Sequence, residues 1–221
     1  MRTKVLLCAA ALAASLASSM AQSNVYSLNV VGYYNLTVGA GQKVMIANQL
    51  NTTNNTIGSL LASPMVNNND QLFKYAGGFT AYQFITALGG WDPDGNGTLN
   101  PGEAAFYVPS VATTLTFVGE VEQGSLTNTL PLSTKVLRSS IVPQAGAIST
   151  TLLLPGDNND QLFTYNTAQN SGGYSAFQFI SALGGWDPSE PMLSVGQGFF
   201  YIKAATALPA NANWVRNFTV Q

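Results

Sequence analysis

Asn68-Asn69-Asp70-Gln71-Leu72-Phe73, followed by AYQFITALGGWDP over residues 81–93, is written twice in this chain. It returns as Asn158-Asn159-Asp160-Gln161-Leu162-Phe163 and then AFQFISALGGWDP over residues 176–188. The two thirteen-residue blocks differ only at Tyr82/Phe177 and Thr86/Ser181. Identity of that density in two separated segments marks a tandem duplication. It argues strongly for an architecture and weakly for an activity.

Within the first copy, Leu72 to Tyr75 reads as a short strand, Ala76-Gly77-Gly78 as a turn and Phe79 to Ile85 as a second strand, together a β-hairpin. A competing reading places Phe84, Ile85 and Leu88 on one helical face closed by Gly89; dense aromatics after a hairpin turn favour strand. Asp70 to Trp91 spans 21 positions and Asp160 to Trp186 spans 26. The extra five fall in the turn, where Ala76-Gly77-Gly78 becomes Asn166 to Gly173, and a hairpin tolerates insertion there.

Upstream, Val25 to Val38 alternates apolar and polar residues, which predicts strands with a bulge or bend at Gly32. Lys43 to Leu50 predicts another strand, and Ile57 to Ala62 a short helix stopped near Ser63-Pro64. Downstream, Ala104 to Val108 and Thr113 to Val118 are predicted strands. In the second unit Lys135 to Val142 answers Lys43 to Leu50, Ile148 to Leu154 answers Ile57 to Ala62, and Trp214 to Val220 is the closing strand. The expected fold is therefore mainly all-β: a tandem duplication of two β-sandwich or barrel-like modules packed together, with at most short helices. The expected boundaries are residues 1–21 for a signal peptide, 22–123 for the first module with its N-terminal strand, and 124–221 for the second.

The leader reading rests on Arg2 and Lys4, the apolar run Val5 to Ala17 and the small residues of Ser19-Met20-Ala21, which place cleavage before Gln22. Removing that segment takes away the only cysteine and leaves six basic against ten acidic residues, a net charge of −4. The basic residues are dispersed, so nucleic-acid binding is not expected. No later segment approaches the ~20 apolar residues of a transmembrane helix, so no transmembrane anchoring is expected. The expected location is secreted, extracellular or cell-surface, with the periplasm as the other compartment a signal peptide allows.

The chain has no histidine and, beyond the leader, no cysteine. That excludes Ser-His-Asp and Cys-His machinery and the usual zinc sites. Asp70/Asp160 and Asp92/Asp187 are duplicated carboxylates that would serve glycosidase-like chemistry if two of them met. Asn-Asn-Asp and Trp-Asp-Pro are better read as turn chemistry. Tyr75, Phe79, Tyr82, Trp91 and Tyr107, with their second-unit counterparts, offer either a sugar-stacking face or the core of each module. Core is the commoner fate of such residues.

The most specific signal is the loop after Trp91. Asp92, Asp94, Asn96, Thr98 (through its carbonyl), Asn100 and Glu103 occupy the oxygen-ligand positions of a twelve-residue calcium loop, with Gly97 at position six. Calcium is the cofactor such a loop would take; a plain Asx/Gly turn is the competing reading. Pro101-Gly102 would spoil the exiting helix of an EF-hand, and the second unit, Asp187 to Gln197, keeps the frame but loses the ligands.

With both units laid out, Asn29-Val-Val-Gly-Tyr33, Val44-Met-Ile-Ala-Asn-Gln-Leu50, Gln71-Leu-Phe-Lys-Tyr75 and Leu99-Asn-Pro-Gly-Glu103 leading to Phe106-Tyr107 come into view together. On these residues the chain resembles an uncharacterised family of secreted bacterial β-repeat proteins. In its modules a G-W-N-L-I strand opens the unit and a P-G-E-G-F-F strand closes it. Here the opening is Gly41-Gln-Lys-Val-Met45, which departs at the aromatic, and the second closing strand is Val195-Gly-Gln-Gly-Phe-Phe200. The resemblance implies a secreted β-module and carries no catalytic residues. The expected function is a secreted, non-catalytic structural or adhesive extracellular protein. The alternative is a carbohydrate-binding module, calcium-assisted if the loop holds metal. The expected partners are a polysaccharide or another extracellular surface protein.

Overall fold

The computed structural model describes residues 30–167, 172–208 and 211–220. The signal-peptide reading and the start of the predicted Val25–Val38 strand lie outside these residues. Alternation of apolar and polar side chains builds an all-β molecule of sixteen strands among the described residues, with one four-residue helix and two short 3-10 turns.

In the first half, β2 (Val44–Ile46), β3 (Gln71–Tyr75), β4 (Phe79–Ile85), β5 (Gly90–Asp92) and β6 (Ala105–Val108) form an antiparallel sheet of order β2-β6-β3-β4-β5. A ribbon of β1 (Val31–Val38) and β7 (Thr113–Glu120) accompanies it. The second half repeats the plan. Its sheet runs β9-β15-β11-β12-β13, from β9 (Lys135–Arg138), β11 (Gln161–Asn166), β12 (Gly173–Ile180), β13 (Gly185–Asp187) and β15 (Phe199–Ile202). Its ribbon pairs β8 (Gly124–Thr129) with β16 (Asn213–Phe218). A small pair, β10 (Gly146–Ala147) and β14 (Met192–Leu193), is answered in the first half by the single antiparallel bridge between Thr56 and Thr98.

Period-two patterning decides which side chains are buried. In the first half Leu72, Phe84, Trp91 and Tyr107 point from the sheet toward Leu115 and Phe117 of the ribbon, with Ile57 and Leu61 closing one end. In the second, Leu162, Trp186, Tyr201 and Phe199 meet Trp214 and Leu130. Trp91 and Trp186 are buried, and their indole N–H groups are satisfied by the Leu61 carbonyl and Ser149 Oγ, each at 2.8 Å. The core reading of both tryptophans is thus the one the structure takes. Each such side chain contributes ~1.5–3 kcal/mol by leaving water.

A third apolar cluster joins the halves: Met45, Ala47, Ala104 and Phe106 from the first, Leu137 and Phe200 from the second. Its contacts are reciprocal. The Ala47 N–H donates to the Gly196 carbonyl at 2.9 Å, and the Ser139 N–H donates to the Gly102 carbonyl at 3.0 Å. The Tyr75 ring meets Phe200 edge-on at 5.1 Å, and Tyr165 meets Phe106 the same way at 5.3 Å. Residue i of one half touching j of the other, and j touching i, is the pattern of an isologous pair. Here it lies within one chain.

Several local expectations needed correction. β1 runs through Gly32 without a bulge, because Gly32 faces Gly119 in register and a Cβ on Gly119 would sit 2.6 Å from the Asn51 carbonyl oxygen. The predicted Lys43–Leu50 strand stops at Ile46, where the backbone turns to bond the other half. α1 (Ile57–Leu60) forms with Thr56 as its N-cap, whereas Ile148 to Leu154 makes turns and no helix. The β3–β4 hairpin is as expected, and the competing helical reading survives only as the 3-10 turn Thr86–Leu88 closed by Gly89 at φ 69°.

Candidate functional site

The face of each five-stranded sheet that points away from its ribbon carries one arrangement twice. On β3, Leu72 points inward, so Gln71 and Phe73 point outward; on β4, Tyr82 and Phe84 are inward, so Ala81 and Gln83 are outward. Trp91 on β5 is inward and Asp92 outward. Strand register sets Gln71 opposite Gln83 and Gln83 opposite Asp92, a polar row across three strands, with Phe73 opposite Ala81 beside it. In the second half Gln161, Gln178 and Asp187 form the same row, with Phe163 opposite Ala176.

Each row lines a shallow cleft, of about 190 Å³ in the first half and about 280 Å³ in the second. Pro93 and Pro188 stand at one side. Phe73 and Phe163, half-buried against the apolar cluster that joins the halves, line the clefts beside the small Ala81 and Ala176. Gln83 is oriented by its Nε2 donating to Asn69 Oδ1 at 2.9 Å, and Gln178 by the same bond to Asn159 at 2.9 Å. No lysine or arginine lines either cleft. The nearest ammonium groups belong to Lys43, 5.5 Å from the Phe73 ring centre, and Lys135, 5.6 Å from that of Phe163.

The duplicated aspartates of the Asn-Asn-Asp turns lie elsewhere and are fully buried. Asp70 accepts from Tyr107 Oη at 2.5 Å, from the Ser110 N–H and Oγ at 2.7 and 2.8 Å, and from the Asn67 N–H at 2.8 Å. Asp160 accepts from Tyr201 Oη and Lys203 Nζ, both at 2.7 Å, and from the Ala204 and Asp157 N–H groups. Burial and the neighbouring carboxylate push both phenols, Tyr107 and Tyr201, far above their ordinary range, so each remains a donor. Every bond named here lies within one half. These carboxylates are saturated hinges between turn and strand, and the two are not brought together as a catalytic pair.

The six calcium-loop residues are placed as follows. Asp92 ends β5, exposed on the cleft face. Asp94 Oδ1 accepts from the Asn96 N–H at 2.8 Å, an Asx turn. Glu103 Oε2 is held by Lys74 Nζ at 2.9 Å, Thr98 Oγ1 at 3.1 Å and the Asn100 N–H at 2.9 Å. The Thr98 carbonyl also accepts from Lys74 Nζ. The structure brings Thr98, Asn100 and Glu103 together around a lysine ammonium; Asp92, Asp94 and Glu103 are not gathered into a metal-holding group among the described residues. As arranged, Glu103 and the Thr98 carbonyl, two of the six expected ligands, are hydrogen-bonded to Lys74.

The cleft row was not singled out by sequence reasoning, though the signal was present. Gln71, Gln83 and Asp92 all fall on the outward phase of their strands and recur identically in the second copy. No protein family, curated protein or solved structure matches the chain.

Proposed function

We propose that this is a secreted, non-catalytic extracellular protein of structural or adhesive type, whose paired modules present one face twice. The supporting observation is where the two copies agree. Some buried positions have drifted, so that Ala105 answers Phe199, Met45 answers Leu137, Leu115 answers Trp214 and Phe117 answers Arg216, while others, such as Leu72/Leu162, Trp91/Trp186 and Tyr107/Tyr201, are identical. Most solvent-facing positions of the repeated block are also unchanged, Thr86/Ser181 being the exposed exception. Ala81/Ala176, Asp92/Asp187 and Pro93/Pro188 are exposed and identical. Leu88 and Leu183 are identical although 68% and 69% exposed, where packing exerts no hold.

Buried identity is what packing alone would hold, so the agreement that remains at exposed positions points to something the surface does. Two copies of one weak site on a rigid body raise avidity by up to about 10²–10⁴ without a new contact. The saturated, buried aspartates and a composition without histidine favour binding over catalysis. No helix among the described residues is long and apolar enough to cross a membrane, so retention at a surface would come from these faces.

The test is partitioning of the secreted protein between medium and the producing cells' surface and matrix. Retention that high salt does not release, and that falls when Leu88 and Leu183 are both changed to serine, is expected. A protein found wholly in the medium overturns the adhesive reading. A specific recurring observation favours the carbohydrate-binding alternative within it, namely the amide and aromatic chemistry of the two clefts.

A further inference from the structure

We infer that the two clefts are equivalent subsites for a neutral polysaccharide, so that one chain holds two stretches of glycan. The inference rests on the adhesive reading and names its ligand class.

The chemistry of the row selects the class. A carboxamide offers a donor and an acceptor on adjacent atoms, and a carboxylate offers acceptors; sugar hydroxyls, which donate and accept, match both. Gln71, Gln83 and Asp92 lie in successive strands, and neighbouring strands are ~4.8 Å apart, so the row spans ~10 Å. That is about the length of two pyranose rings, so a glycan would lie across the strands. Phe73, half-buried beside Ala81 and lining the cleft, supplies the apolar edge against which the C–H face of a sugar packs.

The same chemistry excludes other ligands. The cleft lining has one carboxylate and no cation, which disfavours uronic-acid, sulfated and phosphorylated chains. An apolar peptide or lipid would bury Gln71, Asp92 and the carbonyl oxygen of Gln83 while offering them no new partners, at a cost for each. Gln83 and Gln178 are also fixed in orientation by Asn69 and Asn159, so little side-chain freedom is lost on binding. The duplication then supplies what one shallow subsite lacks. Weak sites, both on one rigid body, are suited to a long repeating polymer.

Calorimetric titration of the secreted chain with cellohexaose, xylohexaose, mannohexaose and maltohexaose, and with hexagalacturonic acid as the charged control, tests this. At least one neutral hexamer is expected to bind at two sites per chain, and the charged one not to bind. Gln83→Ala should leave one site, and Gln83→Ala with Gln178→Ala should weaken the remainder by at least about tenfold. Gln71→Glu, at an exposed side chain of the row, keeps the size and the acceptor and should weaken binding with an unchanged melting curve, which separates recognition from folding. No binding to any neutral hexamer, or undiminished binding by the double variant, overturns the inference. If the parent binds no neutral hexamer yet is retained on cells, the adhesive reading stands and this one falls. If the parent binds glycan but is not retained on cells, the adhesive reading falls and the subsites stand.

Discussion

Asp70 and Asp160 occupy the same place in the two halves, beneath the same tyrosine and at the same turn, yet they are neutralised differently. Around Asp70 there is no cation: four neutral donors from Tyr107, Ser110 and Asn67 share its charge. Around Asp160 the position of Pro109 is taken by Lys203, itself fully buried, and that of Asn67 by Asp157. Lys203 bridges both carboxylates at 2.7 Å. Two substitutions therefore travelled together, one adding a positive charge and one a negative, and the net charge of the buried site did not change. Buried charge moves only in compensated sets, because either change alone strands an ion in low dielectric.

The sharpest way to break this symmetry is to remove Lys203. Lys203→Met leaves Asp160 and Asp157 facing each other without a cation, and should cost about 3–5 kcal/mol in denaturant unfolding. The matched change in the first half, Asp70→Asn, strands at most one or two donors and should cost about 1–3 kcal/mol. Equal losses for the two would mean that the ion pair adds nothing to the neutral arrangement.

The second comparison concerns the centre of the joint between halves. Ala104 and Gly198 are equivalent positions that meet there, and a Cβ built on Gly198 would lie 2.5 Å from the Ala104 Cβ. Only one of the pair has room for a methyl group. Gly198→Ala should destabilise by about 1–3 kcal/mol through overpacking. Adding Ala104→Gly should recover most of that, since the swap restores one methyl at the joint. Failure of the double variant to recover, measured by the unfolding midpoint, would refute the equivalence of the two positions.

Most of the scaffold was legible because it is local. Alternation over Leu72–Ile85 and its echo in the second half gave the hairpin strands, while the inserted turn expected between Asn166 and Gly173 includes residues 168–171, which lie outside the described residues. What escaped is held by partners far away in sequence. The strand expected to reach Leu50 ends at Ile46 because the Ala47 N–H finds the Gly196 carbonyl, and no window around residue 47 contains that carbonyl. Gly102 and Gly196 look like ordinary turn glycines. Each in fact presses on the opposite half, where a Cβ would meet Asn128 at 2.8 Å or Tyr34 at 2.7 Å. The calcium pattern was legible as spacing, but Lys74, which claims Glu103, lies 29 positions upstream.

Acid sharpens the comparison from another side. Burial works to raise the Asp157 carboxyl, but hydrogen bonds from Lys203 and Asn211 and the charge of Lys203 bring it below the usual carboxylate range. The unfolded chain therefore takes up this proton first. The stabilisation is fully present above the ordinary carboxylate pKa and is lost as pH falls through the depressed folded value. Asp157→Asn, which copies Asn67 of the first half, should flatten the part of the stability profile that falls as pH drops below the ordinary carboxylate range, about pH 4. An unchanged slope would show that Asp157 is not the group responsible.

The smallest effect is expected at the loop after β5, where the first half has Lys74 and Glu103 and the second has Thr164 and Gln197. Both partners of the pair are absent together from the second half, as at the buried aspartates, but here they are partly exposed. Glu103→Gln should keep the turn, because Gln197 already does that work by accepting from the Ser194 N–H at 2.9 Å, as Glu103 accepts from Asn100. The loss should stay below about 1 kcal/mol, the ordinary worth of an exposed ion pair. Calcium affinity of this loop then becomes a competition. A metal ion needs Glu103 and the Thr98 carbonyl, and both are occupied by the ammonium of Lys74. Lys74→Thr, which copies the second half, frees those oxygens, so millimolar calcium should raise the melting temperature of this variant more than that of the parent. Lys74→Thr with Glu103→Gln should lose the response. If calcium shifts parent and Lys74→Thr protein equally, or neither, the lysine is not the loop's resident cation and the spacing from Asp92 to Glu103 marks a turn alone.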